Sequence, residues 1–301
     1  MLKFTVLAII LSFCFDSSNA AKYYVKPNEN TNCSHECQTL SYYLENSSYF
    51  KSNTTMVFLQ GIHSANISGI IGQVGPVSSL RLVVEPGQIS AKIMCTHKSV
   101  GFEFINVIDL HIESLTFLEC GKAFSESKSN TRYHAAIRFK NVTNLSLRGI
   151  TVTKSRGYGI YADQILGSSY IQDSTFMQNN ASYKYQGGNA ILFYRDCPST
   201  GENNHHLHIE TSKFLHGRNN ITNRSHAAGL TLFMECTNVR ITLNNVTFKG
   251  NEASSGGNFA IIYQNVIQNF AQPTWSPTGL TSCQHYKLHR HNICSVFKPK
   301  V

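Results

Sequence analysis

The chain has 301 residues, 42% of them hydrophobic and 14% charged, with a formal net charge of +9 and a pI near 9.1. That length suits one large elongated domain or two ordinary ones. The basic balance is read first as Lys and Arg solvating outward faces, with acidic glycans or anionic surfaces as the alternative, and a secretory start excludes intracellular nucleic acid as a partner.

That start is MLKFTVLAIILSFCFDSSNA. Lys3 is the positive lead, Phe4 to Phe15 the apolar core, and Ser18-Asn19-Ala20 a small-residue cleavage site. Residues 1–20 read as a signal peptide cut after Ala20. The apolar core is shorter than a bilayer span, and no later stretch is long or apolar enough to cross one. The expected mature product is soluble and extracellular, with no membrane span. Lys3 and Asp16 leave together, so the charge balance is kept.

Residues 21–53 differ in pattern from the rest of the chain. KYYVKP reads as a short strand ending at a proline. In CQTLSYYLENSSYF (37–50), Leu40, Tyr43 and Leu44 fall near helical spacing behind Thr39. A stack of strands must cover its open end, so this segment is expected to be an N-terminal capping helix with its lead-in.

From about 54 to 268 one hydrophobic outline recurs. GFEFINVIDLHIESLTFLECG (101–121) lies over AIRFKNVTNLSLRGITVTKSRG (136–157). Phe104 meets Phe139, Asn106 meets Asn141, Leu110 meets Leu145, Ile112 meets Leu147, and Phe117 meets Val152. AILFYRDC (190–197) lies over GLTLFMEC (229–236). Phe176/Asn179 followed by Gly187-Gly188 is echoed by Phe248/Asn251 followed by Gly256-Gly257. The runs are short, apolar at every second residue, and broken by Gly, Asn, Asp and Ser. Matched residue types at matched offsets, without helices between, predict a parallel β-helix rather than a sandwich or propeller. Strands are expected at 56–59, 80–84, 101–104, 110–112, 136–139, 145–147, 190–194, 207–209, 229–233, 239–243 and 259–263, with 197–206 a loop. Residues 269–301 lose the outline and read as an irregular basic tail, or as the point where a longer protein was truncated.

Eight cysteines remain after Cys14 leaves, an even number suited to an oxidising compartment. Cys197 and Cys236 share a repeat position and should pair across adjacent coils. Cys95 and Cys120 stand about one coil apart, Cys33 and Cys37 are neighbours, and Cys283 with Cys294 closes the C-terminus. Ten sequons are present, at Asn32, Asn46, Asn53, Asn66, Asn141, Asn144, Asn180, Asn220, Asn223 and Asn245. Asn106 and Asn141 share a repeat position, as do Asp109 and Asn144. An Asn stacked at a corner points inward and competes with glycosylation of that same side chain.

YYVKP…CQTLSYYLENSSYFKSNTTMVFLQGIHS with the later KIMCTHKSVGFEFINVIDLHIESLTFLECG resembles the opening of secreted or cell-surface β-helix proteins of early-branching animals. The FxxN and GGxAI-like pairs resemble repeats of bacterial polymorphic outer-membrane adhesins. The resemblance implies the right-handed parallel β-helix, pectin-lyase-like class. It is specific for fold, and one fold hosts many activities.

That class includes polysaccharide-cleaving enzymes, whose chemistry needs clustered carboxylates. The mature chain has four Asp, at 109, 163, 173 and 196, with no Asn-Thr-Asp and no Asp-Asp. His216-Gly217-Arg218 and Arg240-Ile241-Thr242 are fragments of polygalacturonase-like motifs without their acid. Asp196 and Glu235 share a repeat position, but read as a solvated corner beside cysteines. His206, His208 and Glu210 share an outward strand face without metal-ligand spacing to a further group. Phe117, Phe176, Phe214 and Phe248 read as an internal ladder. Tyr158, Tyr161, Tyr183 and Tyr185 are the expected exposed sugar contacts. The sequence therefore predicts a non-catalytic recognition or adhesion module for an extracellular glycan or protein ligand, without cofactor or metal. A carbohydrate-active enzyme and a fragment of a larger receptor or adhesin are the alternatives.

Overall fold

Alternating apolar residues make strands, and left-handed residues at matched positions bend them into coils. The computed structural model describes residues 20–66, 69–72, 75–95, 101–121, 135–180, 188–195, 205–218, 227–235, 239–253, 258–264, 284–288 and 291–296. Within them the chain winds as a right-handed parallel β-helix with three faces.

Three long strands, Phe102–Glu113, Ala135–Arg148 and Tyr158–Gln172, each cross from the first face to the second. The first face continues through Ala190–Tyr194, Leu230–Met234 and Phe259–Gln264. The second continues through His205–Glu210 and Val239–Asn244. The third holds Gly61–Ala65, Ala91–Cys95, Leu115–Leu118, Thr151–Thr153, Thr175–Met177, Lys213–Leu215 and Thr247–Lys249.

The pieces 101–104 and 110–112 are thus one strand, as are 136–139 and 145–147. Asn106 and Asp109, then Asn141 and Asn144, take φ between +52° and +57° and turn the corner without ending the ladder. Asn and Asp tolerate this region better than most residues. Asn141 Nδ2 donates to Asn106 Oδ1 at 2.8 Å, and Asn144 Nδ2 to Asp109 Oδ1 at 2.8 Å. On the next coil Gly167 takes φ +63°, and a Cβ there would meet Asn144 Oδ1 at 2.3 Å. These corner asparagines do not point inward: Asn141 is half-buried and Asn144 exposed.

Inside, like stacks on like. Leu80, Leu110, Leu145, Ser169, Leu207 and Ile241 form one row, and Leu82, Ile112, Leu147, Ile171, Ile209 and Leu243 the next. On the third face Phe117, Val152, Phe176, Phe214 and Phe248 are in register, with ring centroids 4.9 Å and 5.2 Å apart in the last two steps. The phenylalanine ladder is therefore internal.

The repeated FxxN and GGN outlines build a second, polar ladder at the corner from the third face to the first. Asn179 and Asn189 are fully buried and Asn251 nearly so. Asn179 Nδ2 donates to Asn189 Oδ1 at 2.9 Å, and Asn189 Nδ2 to Asn251 Oδ1 at 3.0 Å. Asn251 Nδ2 in turn donates to Asn258 Oδ1 at 3.1 Å. Gly217 occupies the repeat position of Asn179 and Asn251 because a Cβ there would lie 2.3 Å from the Ala228 carbonyl.

The N-terminal cap is the short helix Leu40–Glu45, whose first turn is held by the Thr39 hydroxyl. Leu40, Tyr43 and Leu44 are buried over the first coil, a contribution of about 1.5–3 kcal/mol for each large apolar side chain. Disulfides join Cys33 to Cys37 and Cys95 to Cys120. Cys197, Cys236 and Cys283, with the side chain of Cys294, lie outside the described residues, so both remaining pairings do too.

The C-terminal segment is not wholly irregular. Gln284–Leu288 and His291–Val296 form an antiparallel hairpin on Phe259–Gln264. Such a hairpin covers the last parallel strand of the first face, which would otherwise offer an open edge. The loop expected at 197–206 also ends early, because His205 and His206 already pair with neighbouring strands.

Candidate functional site

The outward side of the second face carries the most chemistry. Its side chains are ordered by strand register, so residues distant in sequence stand in rows. One row runs Arg81, His111, Ser146, Tyr170, His208, Thr242. A second runs Glu113, Arg148, Gln172, Glu210, Asn244, and a third Ser168, His206, Arg240. Strand spacing of about 4.8 Å makes the six-residue row roughly 24 Å long.

Tyr170 stands near the middle and is 47% exposed. His206 and His208 flank it, with ring centroids 6.3 Å and 6.0 Å from the phenol ring. His206 Nε2 lies 3.2 Å from Thr242 Oγ1. Burial lowers the His206 pKa from its ordinary value, and the positive charges of Arg240 and His208 lower it further. The His206 ring is therefore neutral at pH 7 and offers one donor and one acceptor. His208 Nε2 lies 3.6 Å from Glu210 Oε2, and Asn244 Nδ2 donates to Glu210 Oε1 at 3.1 Å.

Two strands away, His111 is held from both sides. Its Nδ1 lies 3.0 Å from Ser146 Oγ and its Nε2 3.0 Å from Glu113 Oε2. Arg148 approaches Glu113 at 4.0 Å. Glu113 and Glu210 share a row but stand three strands apart, about 14 Å by strand spacing. A glycosidase dyad needs roughly 5–9.5 Å, so these two do not form one.

On the first face the acids are matched to arginines. Glu103 meets Arg138 at 2.7 Å, and Asp163 pairs with Arg195, whose guanidinium also lies over the Phe193 ring. At the corner outside the buried asparagines, Gln178, Asn179, Asn180, His216 and Arg218 line an open cleft of about 380 Å³. The His216-Gly217-Arg218 fragment does find an acid here, since Glu252 reaches Arg218 at 3.3 Å. Among the described residues no group of three or more His, Cys, Asp and Glu is placed to hold a metal.

The tyrosines expected as sugar contacts need correction. Tyr158 is 3% exposed and Tyr161 1%, and both join an apolar cluster with Ala135 and Ile191 on the outside of the first face. Tyr183 and Tyr185 lie outside the described residues, as does Asp196 of the Asp196/Glu235 pair. Tyr170, His111, Ser146 and Glu113 were not singled out in sequence. Yet aligning Leu110 with Leu145 and Ile112 with Leu147 already sets His111 over Ser146.

The sequons fall into three groups. Asn32, Asn46, Asn66 and Asn245 are exposed, although Asn46 Nδ2 also donates to the Tyr42 carbonyl at 2.9 Å. Asn141 and Asn144 spend their amide nitrogens on the corner ladder, Asn180 has its side-chain oxygen buried, and Asn53 is half-buried. Asn220 and Asn223 lie outside the described residues.

No family model and no curated protein matches the chain by sequence. The structure is similar to the crystal structure of Jun a 1, the major allergen from cedar pollen. The two are 12% identical, with a TM-score of 0.40, over 86% of this chain and 75% of that one. The fold is that of a parallel β-helix. The expectation that the chain is not an enzyme does not stand, and a likeness at this identity and TM-score assigns it no reaction. No helix among the described residues is long and apolar enough to cross a membrane.

Proposed function

We propose that the protein is a secreted, N-glycosylated β-helix whose second outward face binds an extended extracellular glycan. The observation that carries this reading is the row centred on Tyr170. An exposed aromatic face is flanked by neutral and charged hydrogen-bonding groups repeated at every strand. A sugar ring has apolar C–H faces and a rim of hydroxyls. It is matched by a phenol ring beside imidazole, hydroxyl and amide groups. The regular spacing along the row suits a polymer rather than a compact molecule. Secretion is supported by the leader-like start, the two disulfides and the sequon density.

The test is a glycan array with the purified secreted protein, alongside Tyr170→Ala. Binding to a subset of linear glycans, weakened at least about tenfold in the variant, is the expected result. Equal binding by Tyr170→Ala, or no glycan bound, overturns the reading.

A further inference from the structure

We propose that Ser146, His111 and Glu113 form an acyl-transfer site that hydrolyses carboxylic esters on the outward second face. Three observations carry it. His111 Nε2 is 3.0 Å from a carboxylate oxygen of Glu113, and a carboxylate only accepts. The Nε2 nitrogen therefore bears the proton, which leaves Nδ1 as the acceptor. Nδ1 is 3.0 Å from Ser146 Oγ, whose hydroxyl donates to it. This is the relation of nucleophile, base and orienting acid that activates a serine, with the two imidazole nitrogens exchanged. Finally, all three groups reach solvent on a sheet face: the side chains of His111 and Glu113 are 24% and 33% exposed, and Ser146 is half-buried.

The chemistry balances without a cofactor. Ser146 Oγ attacks the ester carbonyl carbon while its proton passes to His111 Nδ1. The tetrahedral adduct collapses, the alkoxide leaves with that proton, and an acyl-Ser146 remains. Water then attacks the acyl carbon, His111 Nδ1 takes a water proton, and Ser146 leaves with it. The products are an alcohol and a carboxylic acid. Backbone N–H groups of the strand are engaged in the sheet, so the charge on the adduct oxygen must be met by a side chain. Arg148 stands two residues from Ser146 on the same strand face, 57% exposed and free to turn from its 4.0 Å contact with Glu113.

The substrate class comes from the neighbours. Ser146 stands beside Tyr170 in the register row, so an O-acyl group on a glycan lying along that row would meet the serine. This choice of substrate rests on the proposed glycan reading, whereas the serine chemistry does not.

The experiment treats the secreted protein with a fluorophosphonate probe, maps the labelled peptide by mass spectrometry, and follows p-nitrophenyl acetate turnover across pH. Label on Ser146 is expected, absent in Ser146→Ala and slowed about 100-fold or more in His111→Gln, in keeping with loss of a general base. Circular dichroism of each variant should match the parent, since the residues face outward. No label on Ser146, or turnover that survives Ser146→Ala unchanged, overturns the proposal. Glycan-array binding by the parent protein separates the two readings: glycan bound with no label on Ser146 sinks the ester chemistry alone.

Discussion

Replacing Asn189 with Ala should destabilise the solenoid by about 3 kcal/mol. Asn189 is fully buried and makes three side-chain hydrogen bonds. Its Oδ1 accepts from Asn179 Nδ2 at 2.9 Å, while its Nδ2 donates to Asn251 Oδ1 at 3.0 Å and to the Leu215 carbonyl at 3.2 Å. Each partner atom keeps one further bond. Asn179 still donates to the Val152 carbonyl, Asn251 still accepts from Gly217 N–H, and Leu215 O still accepts from Gln178 N–H. The loss is therefore three net hydrogen bonds at about 1 kcal/mol each, not three orphaned buried groups. In a domain of this size about 3 kcal/mol lowers Tm by roughly 6–12 °C. Asn189→Asp should be worse, because its second oxygen faces two acceptors and its charge is buried. Asn244→Ala is the control. That side chain is exposed and meets Glu210 at the surface, so its loss should stay within about 0.5 kcal/mol. Urea titrations followed by far-UV circular dichroism read all three. If Asn189→Ala and Asn244→Ala shift the midpoint equally, the buried ladder does not carry the corner and the reasoning fails.

Two further outcomes are expected. His63 and His205 are buried, and burial lowers both pKa values from 6.5. The unfolded chain then binds more protons than the folded one as pH falls below about 6.5, so stability is whole above that pH and lost beneath it. Each histidine contributes a slope of up to about 1.4 kcal/mol per pH unit, and His205→Gln should remove its own share, leaving those of His63 and His206, from urea midpoints compared at pH 5 and pH 7. In the secreted protein, glycosite mapping by mass spectrometry should find glycan on Asn32, Asn66 and Asn245 and none on Asn141 or Asn144. Full occupancy at either corner Asn contradicts the ladder, because a glycosylated nitrogen has lost the geometry that reaches Asn106 or Asp109.

The architecture was legible because a solenoid repeats its core. Phe104 over Phe139 and Leu110 over Leu145 are both sequence matches and register partners. The long strand Tyr158–Gln172 was missed for the same reason in reverse. Its inward row places Ala162 where other coils have Phe or Leu, and Ser169 where they have Leu or Ile. Tyr194 is also buried in that interior, and burial pushes its phenol well above its ordinary pKa. A serine inside the core reads as a gap in the outline. The tyrosines failed differently: alternation shows which side of a strand a residue faces, but not that a second apolar cluster covers the outside of the first face.

The candidate site was hidden by unequal coil lengths. His111 and Ser146 are 35 residues apart, the same offset as Phe104 and Phe139, so that contact was written in the alignment. Ser146 to Tyr170 is 24 residues, Tyr170 to His208 is 38, and His208 to Thr242 is 34. Insertions at the corners change these offsets while the strands keep their register, since loop length adds little free energy compared with a broken ladder. The core tolerates that variation because every coil restates Leu or Ile inside. Outward residues restate nothing, and each coil contributes a different group to the row. A surface assembled this way can be long, ordered and chemically varied without any local motif, which is why register rather than sequence spacing brings Ser146, His111 and Tyr170 together.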